Sequence, residues 1–469
     1  MKVALINPSR EYKGNLDARA AAPPLGLLYL ASSLMKEGHE VRLIDQLGTG
    51  LNDSTVVSQV KGFYPDLVGF STMGSQSKSA ARLTRKFKKV LPNTPVVFGG
   101  INPTFSSEYI MKKYPMVDYC IEGEGEHSLL ELLKALKNKA FDSVHGLVYR
   151  VGSKIKRGKP RELITDLDSL PFPDRSLIKG IEYGSLSGLR VRGFTSFLSS
   201  RGCPFACTFC CCNALVHRRW RTRSVKNILD ELEIIESQGY KNVLFFDDNF
   251  TVSLDRVVKI SEGIRKRGIK LNWFYEGRVD NARTDVFRET AKAGAKVCYF
   301  GAENATQKVL NYYNKGITPE QVKLAVKKAR KGGMDFIVAS FILGAPGESL
   351  RDIERTIRFM ENLDIDFAQV TNLMAYPGTA LWESLVAKGY IDPEKYWEEG
   401  ADVNKIHPHT LPLGIVKKKV REAYARVLAN RKRQLKHIWR LLKSGFRQSV
   451  FKENLKYFDK NLLSKLVGN

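Results

Sequence analysis

The chain has 469 residues, is 43% hydrophobic and 26% charged, and carries a formal net charge of +26. This length accommodates two or three domains, and the composition is that of a folded soluble protein. The opening MKVALINPS is too short an apolar run for a signal peptide, and no stretch approaches the roughly 18 apolar residues of a membrane-spanning helix, so a cytoplasmic location is predicted.

The first 135 residues or so alternate short apolar runs with segments of helical apolar spacing. This alternation predicts a doubly wound parallel sheet, in which ligands bind beyond the carboxyl ends of the strands. The predicted strands are Val3–Ile6, Val41–Asp45, Leu67–Ser71, Pro95–Gly99 and Tyr119–Glu122, and the predicted helices are Leu25–Glu37, Ser75–Leu91 and Glu126–Leu136.

Small and turn-forming residues stand at the ends of the third, fourth and fifth of these strands. They are Ser71, Thr72, Gly99, Gly100, Gly123, Glu124 and Gly125. Glycine lets a backbone approach a flat or phosphorylated ligand closely, although tight strand-to-helix turns alone also explain these residues. The pattern G-x-G-x-x-G does not follow the first strand, so a dinucleotide is not favoured.

Residues 137–190 are predicted to connect two domains. Phe141–Val151 has the pattern of a small hairpin, and Pro171 and Pro173 suit an extended linker.

From about residue 191 the alternation of strands and helices restarts, and six successive β/α units predict a partial parallel barrel. The predicted strands are Thr195–Ser199, Asn242–Phe246, Lys270–Arg278, Lys296–Gly301, Phe336–Leu343 and Phe367–Leu373. The predicted helices are Val225–Gln238, Leu254–Arg267, Thr284–Ala293, Thr318–Arg330, Ser349–Leu363 and Ala380–Lys388.

Five of the seven cysteines lie between residues 203 and 212, directly after the first barrel strand. A disulfide framework would spread its cysteines along the chain, so this clustering indicates a metal site in a reducing compartment. Cys203, Cys207 and Cys210 have the spacing C-x3-C-x2-C. Three such thiolates can hold one face of a [4Fe–4S] cube and leave the fourth iron open to a small molecule.

Charged residues end or follow the next three barrel strands. Asp247 and Asp248 follow the second, Arg278 ends the third and Glu303 follows the fourth. Because function in barrels lies at the carboxyl ends of the strands, these residues predict a polar rim around the cysteine loop. A structural ion pair is the alternative for Asp247, Asp248 and Arg278.

The last 55 residues carry 16 Lys and Arg residues against three Asp and Glu residues, which is half of the net charge. They are predicted to form two or three helices with an apolar stripe. Nucleic acid, an anionic membrane surface and an acidic substrate all remain possible partners of such a segment, and so do ordinary solvated helices that complete the domain.

The cysteine motif, with Phe209 before its third cysteine, resembles the radical S-adenosylmethionine (SAM) superfamily. The first domain resembles the cobalamin-binding domain that precedes the barrel in one large subgroup. The resemblance covers about residues 1–390 and includes Pro23–Gly26, Gly99–Gly100, Glu122–Glu126, Phe245–Phe250, Gly301–Asn304 and Leu343–Glu348.

The resemblance implies an α/β protein in four segments. A Rossmann-like, doubly wound cobalamin-binding domain occupies 1–136 and a linker occupies 137–190. A partial (β/α)6 TIM-type radical SAM barrel occupies 191–405, and a basic helical C-terminal region occupies 406–469. The small residues at 71, 72, 99, 100 and 123–125 would contact cobalamin.

The resemblance also implies the chemistry and the SAM contacts. One electron from a [4Fe–4S] cluster on the three cysteines cleaves SAM, and the resulting 5′-deoxyadenosyl radical removes hydrogen from an unactivated carbon. Phe209 would pack near the adenine, Asp247 or Asp248 would meet the ammonium, and Arg278 would meet the carboxylate. Glu303 would bond ribose or methionine atoms, and the backbone of Leu343 and Gly344 would touch the adenine edge.

Two features depart from related patterns. None of the seven histidines is followed by glycine three residues later, so cobalamin would lack the histidine ligand of D-x-H-x-x-G domains. Cys211 and Cys212 extend the cluster motif either as small buried residues or as groups that approach cluster, cobalt or substrate. Cys120 and Cys298 fall within predicted strands and are expected in the core.

Three other classes fit the residues less well. A transfer RNA methylthiotransferase needs three cysteines in its first domain, where this chain has only Cys120, so nucleic acid is not a predicted partner. A non-catalytic cobalamin or metal sensor would not need an open-iron loop beside a polar rim. A zinc site would need a second C-x2-C or paired histidines.

Because the subgroup that the chain resembles is rich in methyltransferases, the resemblance implies methylation of an unactivated carbon through methylcobalamin. Cyclisation, ring rearrangement and C–C coupling, which also occur on this architecture, are the alternatives. The predicted partners are a small-molecule or lipid substrate and an external electron donor such as flavodoxin or ferredoxin. The basic C-terminus leaves a peripheral membrane contact open.

Overall fold

The computed structural model describes residues 1–10, 22–186, 189–398 and 410–454. The chain divides into two compact units: residues 1–182 with 386–406, and residues 183–385 with 407–469. The four-segment division expected from the sequence stays a prediction.

The first unit is built on one seven-stranded sheet in the order β2-β1-β3-β4-β5-β6-β7. Its strands are β1 (Lys2–Asn7), β2 (Glu40–Asp45), β3 (Leu67–Ser71), β4 (Val96–Gly99), β5 (Tyr119–Ile121), β6 (Leu147–Val151) and β7 (Lys154–Arg157). The first five strands pair in parallel and the last two pair antiparallel. The helices are α1 (Leu25–Lys36), α2 (Gln46–Thr49), α3 (Asp53–Phe63), α4 (Ser77–Val90), α5 (Ile101–Lys113) and α6 (Gly125–Asn138).

Both faces of this sheet are buried, which explains why its strands are almost continuously apolar. Along β1, Ala4 and Ile6 join one core cluster, whereas Val3 and Leu5 join another on the opposite face. The predicted doubly wound sheet is thereby confirmed. The helices α3 and α5 were not predicted, and the hairpin is made by β6 and β7, which extend the sheet, rather than by Phe141–Val151.

The second unit holds a six-stranded parallel sheet with its strands in sequential order. Short strands β8 (Ser185–Leu186) and β9 (Leu189–Arg190) precede it, and β11 (Ser200–Arg201) pairs with β12 (Arg221–Thr222) beside it. The six strands are β10 (Phe194–Phe197), β13 (Asn242–Phe245), β14 (Asn272–Gly277), β15 (Ala295–Glu303), β16 (Phe336–Leu343) and β17 (Phe367–Asn372).

Helices follow each of these six strands. They are α7 (Cys211–Val216), α8 (Val225–Ser237), α9 (Leu254–Lys266), α10 (Thr284–Lys292), α11 (Gln307–Tyr312), α12 (Pro319–Lys331), α13 (Leu350–Asn362) and α14 (Ala380–Ala387). Side-chain caps start several of them, because Ser224, Ser253, Thr318 and Ser349 each accept a hydrogen bond from a first-turn backbone N–H. The expected partial (β/α)6 barrel is thus confirmed.

Alternate residues of the barrel strands pack against the helices. Tyr275, Cys298 and Phe341 lie in this outer core, so their neighbours in sequence face the inside of the barrel. Cys120 and Cys298 are fully buried in their strands, as expected.

The remaining helices are α15 (Pro393–Glu398), α16 (Leu413–Ala429), α17 (Arg431–Lys443) and α18 (Gly445–Asn454). The helix α16 packs on β17: Val416, Ala423 and Val427 enter the barrel core, and the Tyr424 hydroxyl accepts a hydrogen bond from the backbone N–H of Val370 at 2.9 Å. Among the described residues, no helix is sufficiently long and apolar to traverse a lipid bilayer.

Candidate cluster and SAM site

The cysteine loop leaves the barrel after β10 and is held by a short antiparallel pair, β11 with β12. Gly202 makes the entry to the loop possible. Its φ is +90°, and a Cβ at this position would lie 2.0 Å from the carbonyl oxygen of Arg219. Cys203, Cys207 and Cys210 follow, and Cys210 caps the helix α7.

All three cysteines are free thiols, with Cys207 buried and the other two half-buried. Burial raises the pKa of Cys203, and it raises the pKa of Cys210 to about 12. A bound metal reverses this preference because it coordinates the thiolate. No three His, Cys, Asp or Glu side chains in the described ranges converge on one point that would suit a single ion, whereas a cube takes each thiolate on a different iron.

Hydrogen-bond donors lie beside the sulfur atoms of two of these cysteines. The guanidinium Nη1 of Arg278 lies 4.0 Å from Cys207 Sγ. The Asn249 amide neighbours Cys203, and its buried Nδ2 has no oxygen or nitrogen acceptor among the described residues. Thiolates of a cluster accept such hydrogen bonds, so the residues present fit a [4Fe–4S] group.

A segment that the sequence did not single out holds the loop from the other side. Residues 312–316, between α11 and α12, make three hydrogen bonds to it. Thr208 donates from its backbone N–H to the Tyr313 carbonyl at 2.9 Å and from Oγ1 to the Tyr312 carbonyl at 3.2 Å. Asn314 donates from Nδ2 to the Ala206 carbonyl at 3.0 Å. We call residues 312–316 the loop brace.

The brace also joins Arg278. Arg278 donates from Nη2 to the Lys315 carbonyl at 2.6 Å and to the Asp280 carboxylate at 2.8 Å. Its guanidinium carbon lies 3.7 Å from the centre of the Phe205 ring. Arg278 therefore forms an ion pair, with Asp280 as the partner, and Nη1 is the atom left facing the cysteine loop.

Lys315 and Glu303 form a buried ion pair next to this site. Lys315 Nζ lies 2.6 Å from Glu303 Oε1, and their side chains are 10% and 5% exposed. Glu303, which was expected at ribose or methionine atoms, pairs in the structure with Lys315, a residue that the sequence analysis did not identify. The turn residues Asn314 and Gly316 on either side of Lys315 are the local feature of the sequence that could have drawn attention to this lysine.

The two adjacent aspartates have different surroundings. Asp247 is buried, and its carboxylate accepts hydrogen bonds from Ser199 N at 2.8 Å, from Ser199 Oγ at 2.6 Å and from Ser200 Oγ. Asp248 is exposed and accepts from Gly202 N at 2.8 Å. The oxygens of Asp247 are thus occupied by these donors, whereas the Asp248 carboxylate is exposed, and the SAM roles expected for both residues stay predictions.

The remaining predicted SAM contacts are also placed. Phe209 is half-buried, with its ring centre 5.1 Å from that of Tyr313 in the brace. The Leu343 side chain is fully buried in the outer core, so only its backbone is available, and the Gly344 N–H donates to Glu348 Oε2 at 2.5 Å.

Glu276 is a further residue of the inner barrel face that the sequence did not reveal. Its side chain has accessible surface, but the surrounding protein atoms remove much of its hydration. This burial raises the pKa of Glu276 to about 7, with Asp248 and Glu303 adding to the shift and Lys315 opposing it. Tyr299 pairs with it in register on β15, and burial followed by the Glu276 charge raises the pKa of this phenol.

The small residues expected at cobalamin lie together in the first unit, at the carboxyl ends of the adjacent strands β3, β4 and β5. They are Ser71, Thr72, Gly99, Gly100, Gly123, Glu124 and Gly125. Gly100 has φ +98°, and a Cβ there would lie 3.0 Å from the Thr72 carbonyl oxygen. Glu124 accepts a hydrogen bond from Ile164 N at 2.7 Å.

Family comparisons agree with both units. Residues 197–360 match the radical SAM superfamily, and residues 15–133 match the B12 binding domain. The chain belongs to the radical SAM superfamily and carries a B12-binding domain, so it is an enzyme, and the predicted cofactors, namely a [4Fe–4S] cluster, SAM and cobalamin, are confirmed at the level of the family.

Individual relatives extend along most of the chain. It is 36% identical over 393 residues to an uncharacterized methyltransferase of Pyrococcus horikoshii, covering 83% of this chain and 84% of the relative. It is 27% identical over 395 residues to the anaerobic magnesium-protoporphyrin IX monomethyl ester cyclase of Cereibacter sphaeroides, covering 82% of this chain and 64% of the relative.

A solved structure shares the fold. The radical SAM methyltransferase TsrM of Kitasatospora setae, with cobalamin and a [4Fe–4S] cluster bound, aligns with a TM-score of 0.68 and 20% identity over 82% of this chain and 75% of that one.

Proposed function

We propose that this protein is a cobalamin-dependent radical SAM methyltransferase that methylates an unactivated carbon. The observation that carries the proposal is the presence, in one chain, of a B12-binding domain and a radical SAM barrel whose cysteine loop lies beside the exposed carboxylate of Asp248. When bound, the cluster supplies the electron that cleaves SAM, and cobalamin carries the methyl group.

Within this proposal, Cys203, Cys207 and Cys210 hold the cluster. Asp248 holds the SAM ammonium, because Asp247 has its oxygens occupied. Arg278 meets the SAM carboxylate through Nη1, since its other nitrogens bond Asp280 and the Lys315 carbonyl. Phe209 packs near the adenine. The small residues of the first unit form the surface for cobalamin.

The alternative outcome is cyclisation, ring rearrangement or C–C coupling, since a cyclase is among the relatives. Product analysis separates the two outcomes. Purified protein is reconstituted anaerobically with iron and sulfide, then incubated with SAM carrying a deuterated methyl group, hydroxocobalamin and reduced flavodoxin, with and without extracts that supply substrate.

Methyl transfer predicts S-adenosylhomocysteine together with 5′-deoxyadenosine, and deuterium in a product. 5′-Deoxyadenosine without S-adenosylhomocysteine would favour the alternative. If Cys207→Ala still produced 5′-deoxyadenosine, the cluster ligands would be wrong, and if the protein retained no corrinoid on purification in its presence, the cobalamin role would be wrong.

A second proposal concerns where the enzyme works: the helix α17 contacts an anionic lipid surface. This helix is anchored to the barrel by its basic side. Arg433 donates from Nη2 to the Met360 carbonyl at 2.6 Å, and Arg440 donates from Nη2 to Asp364 Oδ2 at 2.6 Å.

The opposite side of α17 is apolar and faces outward. Its members are Leu435, Ile438, Trp439 and Leu442, which are between 56% and 72% exposed. A surface helix ordinarily buries its apolar stripe and exposes its charges, so this arrangement is the reverse of the usual one.

Charge identifies the occupant as anionic lipid. The helix has no acidic residue, and the exposed cations Arg431, Lys432 and Lys443 flank the stripe. Lys443 Nζ lies 3.7 Å from the centre of the Trp439 ring, which keeps a cation and an aromatic ring together on one side, as in interfacial helices.

Sedimentation with vesicles tests this contact. The full chain is expected to bind vesicles with phosphatidylglycerol better than neutral ones, more weakly at high salt, and Leu435→Ser/Leu442→Ser is expected to lose binding. Leu324→Ser, at another exposed leucine of the second unit, is the control. Unchanged vesicle binding by the double variant would contradict the proposal. So would a wild-type dimer that the double variant abolishes, because the stripe would then be covered by a second copy. A large drop in the thermal stability of the double variant would also contradict it, because the stripe would then be part of the core.

A further inference from the structure

Two linked cations lie beside one cysteine of the loop. Arg278 Nη1 lies 4.0 Å from Cys207 Sγ, and the carbonyl of the buried Lys315 accepts a hydrogen bond from Nη2 of the same guanidinium at 2.6 Å. On the other side of the loop, the Asp248 carboxylate accepts a hydrogen bond from the backbone N–H of Gly202, the residue before Cys203, at 2.8 Å. The cysteine loop therefore has an electrostatic asymmetry, with its positive side at Cys207.

Lys315 keeps its charge despite burial. Burial alone lowers the pKa of a lysine, but the Glu303 carboxylate, 2.6 Å from Nζ, outweighs it and raises the pKa of Lys315. In a site that excludes water, this charge is screened far less than a surface lysine would be.

The position of the lysine is tightly constrained. Glu303 reaches it from the end of β15 with φ +59°, a conformation that non-glycine residues seldom adopt. A Cβ on Gly301 would lie 2.4 Å from Glu303 Oε1 and 2.5 Å from Lys315 Nζ. The Lys315 carbonyl accepts from Arg278, so the two cations are fixed to each other.

We infer that Lys315 is a positioning residue whose fixed positive charge, oriented by Glu303 and shared with Arg278, raises the reduction potential of the cluster bound at Cys207. The physical basis is that the net charge and the hydrogen bonds around a cluster set its potential, because reduction adds a negative charge. A nearby cation stabilises the reduced form, and a nearby carboxylate opposes it. This inference rests on the proposed cluster ligands, and it adds a residue that adjusts the reduction potential of the cluster.

The test uses charge changes of opposite sign on the same ion pair. Lys315→Met removes a positive charge and Glu303→Gln removes a negative one, each with little change in side-chain size. The reconstituted full-length variants are titrated at pH 7 with redox mediators, and the reduced cluster is followed by electron paramagnetic resonance and by its visible absorption.

The expected result is a shift of the midpoint potential to more negative values in Lys315→Met and to more positive values in Glu303→Gln. The double variant is expected to return toward the wild type, and Lys315→Arg, which keeps the charge, is expected to stay near it. Lys308→Met is the matched control, because Lys308 pairs with Asp352 at an exposed position on α11.

Shifts of the same sign in the two single variants, or no shift in Glu303→Gln with full iron content, would overturn the inference. If Lys315→Met failed to hold a cluster, the shift in Glu303→Gln and the behaviour of Lys315→Arg would still decide it. A wild-type chain without a cluster would instead contradict the proposed function, and iron and sulfide analysis separates that result from the others.

Discussion

Ser199 and Asp247 are joined by two hydrogen bonds, from Ser199 N to Oδ1 at 2.8 Å and from Ser199 Oγ to Oδ2 at 2.6 Å. Ser200 Oγ adds a third bond to the same carboxylate. The bonds tie the end of β13 to the chain that enters the cysteine loop. Asp247 thus builds the site, whereas Asp248, one residue later, faces into it.

The first prediction separates these neighbours. Asp247→Ala is expected to lower the free energy of unfolding by about 3 kcal/mol, because it leaves two buried hydroxyl groups and an N–H without their acceptor. Asp248→Ala is expected to cost less stability, because it leaves only the Gly202 N–H without an acceptor, and to weaken SAM binding at least tenfold, as the loss of a charge-assisted contact should. Denaturant titration and calorimetric SAM binding to the reconstituted protein measure the two effects. Equal effects in both assays would contradict the distinction.

The second prediction concerns the five clustered cysteines. Cys203→Ala, Cys207→Ala and Cys210→Ala are each expected to abolish the broad visible absorption of the reconstituted cluster. Cys211→Ala and Cys212→Ala are expected to retain it, because both residues belong to the first turn of α7, beyond the loop. Iron and sulfide analysis of all five variants checks this. Loss of iron from Cys211→Ala or Cys212→Ala, with the fold intact, would assign that residue to the cluster.

The third prediction concerns a buried ion pair behind the cysteine loop. Arg223 Nη1 lies 2.5 Å from Glu231 Oε2, and the two side chains are 4% and 0% exposed. Arg223 also donates from Nη1 to the Leu198 carbonyl at 2.8 Å. Because removing one partner leaves an uncompensated buried charge, Glu231→Ala is expected to cost about 3–5 kcal/mol of unfolding free energy.

Denaturant unfolding measures that cost. Asp230→Ala removes the neighbouring carboxylate, which pairs near the surface with the largely exposed Lys226 and with Arg267, and is expected to cost less than about 1 kcal/mol. Similar losses of unfolding free energy in the two variants would show that the buried pair contributes no more to stability than the exposed one.

The fourth prediction is a pH dependence at Glu276. This carboxyl ionises near its ordinary pKa of 4.5 in the unfolded chain and at about 7 in the folded one, where burial and the charges of Asp248 and Glu303 oppose ionisation and Lys315 favours it. Between these values the unfolded chain has released a proton that the folded protein keeps. The contribution of Glu276 to stability is therefore full below about pH 4.5 and is lost as the pH rises through about 7.

Glu276→Gln cannot ionise, so its stability relative to the wild type is expected to increase from pH 5 to pH 8. Urea unfolding at several pH values gives this difference. Glu320→Gln, at an exposed glutamate on α12, is the control and is expected to show no such trend. A difference between Glu276→Gln and the wild type that is constant with pH would contradict the shifted ionisation.

Most of the fold could be predicted from local patterns. Apolar runs of strand length mark β3 and β16 to the residue, because both faces of these strands are buried and the apolar run ends where the strand does. Capping residues mark the starts of α8 and α13. The helices α3 and α5 were missed because their sequences are rich in polar residues, and contacts with the sheet stabilise them instead.

Spacing along the chain is enough to predict the two-domain α/β architecture and the cysteine motif. The accessibility of the rim residues depends instead on tertiary contacts. It ties Asp247 to Ser199, pairs Glu303 with Lys315, and brings Arg278 to Cys207 across 71 positions of sequence. These assignments depend on side chains from different β/α units meeting at one end of the barrel, and the periodicity of a single segment carries no information about such meetings.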